Sequence, residues 1–153
     1  MSPIDLSAYV LRVSQDRAVW APHVRFDPSR RHWSRLASPP DVDVWLLTWL
    51  PSQATDLHDH GSSAAAVVVL QGRLTEVAAA TNGSLSTSTL EVGVTHRIPV
   101  GAVHEIHNAG PDPAVSLHAY SPRLSEMTVW QTTTGGLQAL RTEAVSPALA
   151  VPA

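Results

Sequence analysis

The rhythm of apolar positions changes near residue 43. Before it, Leu6, Tyr9, Val10 and Val13 recur at helical spacing, so residues 7–17 are expected to form a short amphipathic helix. Residues 18–41 follow no period and are rich in Pro, Arg and Trp. From Asp43 onward the chain breaks into short β-rich runs: VWLLTWL (44–50), AAAVVVL (64–70), RLTEVAA (73–79), LSTSTLEV (85–92), HRIP (96–99), VHEIH (103–107), AVSLHAY (114–120) and MTVWQT (127–132). Turn formers separate them at Gln71-Gly72, Asn82-Gly83, Val100-Gly101 and 108–111. About eight short strands at this spacing predict an all-β sandwich or barrel. The run 64–70 lacks alternation, so it is expected to be buried on both sides or to face a crowded interior. Its small side chains would leave room inside a barrel for a ligand.

This divides a single domain of 153 residues into an N-terminal helix and irregular segment (1–42), a barrel (43–133) and a C-terminal tail (134–153), frayed or loosely docked beyond Leu140. The composition is globular, with 44% hydrophobic and 15% charged residues. A net charge of -3 offers no basic face for nucleic acid. The first residues lack the basic-then-apolar order of a signal peptide, and no apolar run approaches the ~20 residues of a membrane span. The expectation is a cytoplasmic protein that binds neither nucleic acid nor membrane, as a monomer or weak homo-oligomer. The chain has no cysteine, which excludes disulfides, thiolate metal sites and cysteine nucleophiles.

It does have eight histidines against two tyrosines and one phenylalanine. His58 and His60 are two residues apart. In an extended segment both imidazoles point to one face and can share an ion at ~2.0–2.1 Å, while Asp59 points away. By itself His-x-His is equally a polar loop entering a strand. The second candidate segment runs from Gly93 to Asn108. Pro99-Val-Gly101 makes a tight turn there, and His104 starts the strand that follows. A third imidazole from a distant hairpin would complete a facial set of ligands. Farther on, Ser116, His118 and Tyr120 alternate along one strand and share a face. That pattern also fits a buried aromatic strand with satisfied polar tips. Trp45 and Trp49 are expected in the core or wall, His96 and His107 in structural or surface positions, and nothing requires His23 or His32 near a site.

These segments resemble the paired motifs of the cupin superfamily, a small β-barrel (double-stranded β-helix, or jelly roll) with an internal metal site. The cupin glutamate that follows His-x-His is missing. Ala64 and Ala65 stand near that place, and the nearest acid beyond Asp59 is Glu76, past Gly72. The resemblance therefore implies three neutral ligands, His58, His60 and His104. Such a set leaves the full charge of Fe(II) uncompensated and favours an anionic ligand such as a thiolate.

The run Ser116-Leu-His118-Ala-Tyr120-Ser-Pro122 is similar to a signature of the cysteine dioxygenase type I family, and the likeness extends from about Trp33 to Met127. It implies one Fe(II) per chain, O2 as co-substrate, and addition of both oxygen atoms to the sulfur of a small thiol, L-cysteine first and 3-mercaptopropionate as the alternative. A non-catalytic metal- or ligand-binding cupin is the rival reading. It further implies a hydroxyl of Tyr120 over substrate or oxygen, supported by His118 and Ser116, and a cis bond before Pro122. An arginine two residues after an aromatic residue would bind the substrate carboxylate. Trp33-Ser-Arg35 matches, with Arg30 and Arg31 as competitors, whereas related mercaptopropionate enzymes often carry glutamine there. Animal members cross-link the tyrosine to a cysteine. Here Ala64-Ala65 occupy that place, so no such link forms.

Overall fold

The computed structural model describes residues 5–145. Helix α1 spans Leu6–Gln15 and a short α2 spans Arg17–Trp20, followed by a 3-10 turn at Ala21–His23. Ten strands follow: β1 (Trp33–Leu36), β2 (Asp43–Trp49), β3 (Ala64–Gln71), β4 (Leu74–Ala79), β5 (Leu85–Leu90), β6 (Thr95–Ile98), β7 (Val103–His107), β8 (Ala114–Ser121), β9 (Glu126–Thr133) and β10 (Gly136–Ala144). The helix and the eight strand runs thus fall where the apolar rhythm places them, within a residue or two.

Two strands depart from that reading. The irregular segment contains β1, which is only four residues long, too short for a period to register. The region read as a tail contains β10, paired antiparallel with β9 from Gly136 to Ala144. Most of β10 is exposed, so backbone pairing rather than an apolar face holds it, and hydropathy gives no sign of it. Residues 146–153 lie outside the described residues.

One sheet has the order β1-β2-β8-β3-β6, and a second surface is built from β5-β4-β7 and β10-β9. The central strands β2, β3 and β8 are buried on both faces, which is why they read as continuous apolar runs. On the outer face, Val44, Leu46, Ala66, Val68, Val115, Leu117 and Ala119 pack against Leu6, Val10 and Trp20. On the inner face, Trp45, Leu47, Trp49, Ala65, Val67, Val69 and Tyr120 fill the space between the sheets with Leu74, Leu90, Ile98 and Ile106. This is the cupin small β-barrel with its short N-terminal helix. No helix among the described residues is long and apolar enough to cross a membrane.

The segment 54–60 joins the two halves of the second surface. Backbone bridges tie Ala54 to His107 and His58 to His104 on one side, and His58 to Val129 on the other. The turn leaving it uses Gly61 at φ +59°, where a Cβ would sit 2.7 Å from the Glu126 side chain.

Leu6 is almost wholly buried beneath the first sheet. Leu6→Ala is expected to lower unfolding stability by about 2–3 kcal/mol, the usual cost of a large-to-small change at a packed site. Chemical denaturation checks it; a loss below about 0.5 kcal/mol would mean that α1 contributes little to the core.

Candidate metal centre

His58, His60 and His104 are each about 2% exposed or less, and their ligand atoms lie within 4.8 Å of one another. Two sheet elements bring them together. His58 and His60 sit on the bridging segment, extended by backbone bonds though not part of a regular strand, and His104 is the second residue of β7. The His58 amide donates to the His104 carbonyl at 2.8 Å, and the His104 amide returns the bond at 2.9 Å. Asp59 points away, as alternation requires. Its carboxylate accepts bonds from the Gly61 and Thr128 amides and from Trp130 Nε1, at 3.0, 3.2 and 3.0 Å, which pins the segment to β9.

The outer nitrogens fix two tautomers. His58 Nδ1 lies 2.6 Å from the Asp56 carbonyl, which can only accept, so Nδ1 carries the proton and Nε2 keeps its lone pair. His104 Nδ1 lies 2.9 Å from a Glu76 carboxylate oxygen, with the same consequence. His104 Nε2 is buried with no hydrogen-bond partner, and His60 Nδ1 is buried without one as well. His58 Nε2 and His60 Nε2 approach to 3.1 Å. If both carried lone pairs they would repel, and a shared cation would remove the conflict. The donors present fit a divalent metal ion bound through imidazole nitrogen.

Burial also keeps the His58 and His60 rings neutral. Desolvation, helped by the neighbouring His104, holds His58 at about 3, and desolvation holds His60 well below the ordinary histidine range. Glu76 is 5% exposed. Burial alone would raise its pKa, but hydrogen bonds from His104 and His96 overcome this and hold it at about 2.

The other candidate residues come from the first sheet. Ser116, His118 and Tyr120 share the inner face of β8 and are at most 2% exposed. Trp49 Nε1 donates to Ser116 Oγ at 2.9 Å, which frees the serine hydrogen for His118 Nε2 at 2.8 Å. This chain sets His118 as the Nδ1–H tautomer. Desolvation holds His118 at about 3, so it is neutral. The relay expected to continue to Tyr120 stops here. The Tyr120 hydroxyl is buried with no hydrogen-bond partner, and its ring packs 5.1 Å from the His60 ring. Desolvation raises the phenol pKa far above its ordinary value, so the hydroxyl stays protonated. Ala65 is the cross-strand partner of Tyr120, at the place where the resemblance locates a cysteine in animal relatives.

Of the three arginines weighed from the sequence, Arg30 is exposed. Arg35 pairs across β1–β2 with Trp45, its guanidinium 5.2 Å from that ring centre and its Nε 3.6 Å from Asp43. Arg31 lies 5.3 Å over the Trp49 ring, and its charge is felt at Tyr120, His58 and His118. His107 pairs with Glu105 at 3.2 Å and is part-exposed, in keeping with a surface position, whereas His96 binds Glu76 at 2.7 Å. Residue-by-residue reading undervalued Glu76 and Arg31. The available signal for Glu76 was its place two residues after Leu74, on the inward face of a strand, where a charge needs partners.

Fold and triad together define a cupin with a three-histidine metal-binding cluster. The chain matches the family described as cysteine dioxygenase type I over residues 5–133, and it belongs to that family. The family carries a thiol-dioxygenase type of function on a small thiol, and the triad supports a bound metal ion. Among solved structures, a Thermus thermophilus protein is 23% identical with a TM-score of 0.60, covering 67% of this chain and 93% of its own. A Klebsiella pneumoniae protein with a double-stranded β-helix domain is 20% identical with a TM-score of 0.62, covering 71% and 86%. An oxalate oxidase in complex with glycolate is 18% identical with a TM-score of 0.55, covering 63% and 53%. At such identities the likeness speaks for the fold alone.

The buried neutral rings make the metal-free protein acid-sensitive. His58 and His118 titrate near 3 when folded and near the ordinary value of 6.5 when unfolded, so below 6.5 the unfolded chain takes up protons that the folded chain refuses. Glu76, at about 2 against 4.5, acts in the same direction lower down, while His96, its pKa raised by the Glu76 hydrogen bond, adds stability that is complete below 6.5 and lost as pH rises above it. Stability of the metal-free protein should fall below about pH 6.5, by up to about 1.4 kcal/mol per buried histidine per pH unit. Denaturant midpoints at pH 7.5, 6 and 5 measure this; equal midpoints would mean the imidazoles reach water.

Proposed function

We propose that this protein is a mononuclear non-haem iron thiol dioxygenase that converts L-cysteine and O2 to cysteine sulfinate and a proton. The observation that carries the reading is the buried His58, His60 and His104 cluster, with the unpartnered Tyr120 hydroxyl packed against it. Iron, when bound by the three imidazoles, supplies the redox chemistry that joins O2 to sulfur. The protein's own residues do the rest. Three uncharged donors leave a divalent charge uncompensated, which favours binding the substrate as its thiolate. The Arg35 guanidinium pairs with the substrate carboxylate, and Arg31, on the Trp49 ring, adds a second positive charge on the same side.

Tyr120 is suited to donate rather than to accept a proton. Its phenol is held protonated by burial, and a buried hydroxyl without a partner costs about 1–3 kcal/mol until a ligand atom satisfies it. Its donation would orient the substrate carboxylate or oxygen. His118, neutral and held by Ser116 and Trp49, keeps the wall beside it rigid. The bridging segment, β7 and β8 are each tied in by backbone pairing, which suits the positioning that this chemistry needs.

Oxygen uptake by iron-loaded protein, with sulfinate identified by mass, tests the reaction. One sulfinate per O2 is expected with L-cysteine and a lower kcat/KM with 3-mercaptopropionate. Preference for the second thiol would change the substrate and keep the chemistry; no uptake with either, in protein holding iron, would leave a binding cupin.

Arg35→Gln is expected to raise KM for L-cysteine about 10–100-fold while sparing cysteamine, which has no carboxylate, because one charged hydrogen-bonded pair is worth about 1.5–3 kcal/mol. If Arg31→Gln has that effect and Arg35→Gln does not, Arg31 is the clamp. Tyr120→Phe should lower kcat at least about tenfold with metal content unchanged, a loss of one transition-state hydrogen bond.

A further inference from the structure

The three candidate ligands are backed unequally. His58 Nδ1 rests on a neutral backbone carbonyl, and His60 Nδ1 has no partner. His104 Nδ1 alone donates to a carboxylate, Glu76, at 2.9 Å. The other oxygen of that carboxylate takes His96 Nε2 at 2.7 Å, and the His96 side chain is 34% exposed against 6% for Glu76. Two bonds on opposite oxygens hold the carboxylate in one orientation. Glu76 faces Ile106 across β4–β7, and His104 is two residues before Ile106 on the same face, a diagonal that a long side chain spans.

We propose that Glu76 is a positioning residue for the metal. It fixes the tautomer and ring orientation of His104, and it sets behind the ligand the negative charge that the cupin glutamate would otherwise place beside the ion. His96 clamps Glu76 from the barrel surface. This rests on the reading of the triad as a site for a divalent cation. A carboxylate hydrogen-bonded to a ligating histidine makes the ring a stronger donor, and loss of such a partner usually costs about 10–100-fold in metal affinity. The placement gains that strength without using a carboxylate as a direct ligand, so the electron-donating charge and the space for substrate are kept apart.

The test is anaerobic titration with Co(II) alone, read by calorimetry and by the visible absorption of bound cobalt, on the full chain without thiol. Glu76→Gln keeps the shape and removes the charge. It is expected to weaken Co(II) about 10–100-fold and shift the cobalt band. His96→Gln should weaken binding a few-fold, since it frees the carboxylate without removing it. Glu105→Gln is the control: it removes a carboxylate from β7 that pairs with His107 at 3.2 Å, outside the triad, and should leave affinity and spectrum unchanged. Folded Glu76→Gln protein that binds Co(II) within about twofold of the parent, with an unshifted band, overturns the proposal. If Glu76→Gln does not fold, His96→Gln and Glu76→Asp decide it, and parental affinity in both overturns it. Failure of the parent chain itself to bind Co(II) would instead overturn the metal-site reading beneath it. Because no thiol or oxygen is involved, the result is independent of whether cysteine is the substrate.

Discussion

The reciprocal backbone bonds between His58 and His104, 2.8 and 2.9 Å long, hold together two things at once. They stitch the irregular segment 54–60 into the second sheet surface, and they fix the Cα positions of two of the three metal-ligand candidates. A closely paired antiparallel residue couple places its side chains within about 5.5 Å of each other on one face. The ring centroids of His58 and His104 accordingly lie 4.8 Å apart, and His60, two residues on, completes the set at 4.9 and 5.1 Å. Asp59, between His58 and His60, is fastened to β9 by two side-chain hydrogen bonds, from the Thr128 amide and Trp130 Nε1. The cluster is as rigid as the sheet that carries it.

Much of this was legible because strand geometry is periodic. His58 and His60, and Ser116, His118 and Tyr120, fall on common faces by alternation alone. The turn at Pro99–Gly101 announces the strand that carries His104. What sequence withheld was cross-strand register. Glu76 is far from His104 in the chain, and only the pairing of β4 with β7 makes them neighbours. The same limit explains the arginines: Arg31 precedes a four-residue strand, so its approach to Trp49 depends on a loop whose path has no period. β10 was hidden for another reason. An edge strand with an exposed polar surface is held by its ladder and leaves no apolar signature. The relay through His118 also ended earlier than alternation implied. Inward residues on one strand are separated by roughly 6–7 Å, and a ring whose Nε2 already accepts from Ser116 turns toward that side.

The inner face is shared between two kinds of side chain for the same physical reason. Trp45, Trp49 and Val67 exclude water, and the histidines beside them stay uncharged because water is excluded. Neutral imidazole is the form that offers a lone pair to a metal, so the apolar packing prepares the donors as much as the backbone does. Ala65 is the cross-strand partner of Tyr120, so only a methyl group stands opposite the phenol. The unalternating run of β3 in the sequence reflects burial on both faces, with Ala65, Val67 and Val69 turned inward and Ala66 and Val68 against the helix.

Charge in and around this interior is arranged by sides. The Glu76 carboxylate is engaged by His104 and His96. Asp43 is engaged by Arg123 at 2.8 Å, the Leu124 amide at 3.0 Å and, more loosely, Arg35. Its negative charge therefore sits beside Arg35 at the first-sheet wall, while that of Glu76 sits behind His104 on the other wall. Arg31 lies on the Trp49 face, and burial makes its protonated state less favourable than in water. A guanidinium desolvated in this way gains more from an anion than one on the surface does, because the same Coulomb attraction is screened less. On the proposed reading, an anionic substrate would be drawn toward the arginines and away from Glu76. On the proposed reading, the carboxylate behind His104 and the arginines that would orient a substrate belong to different walls of the barrel.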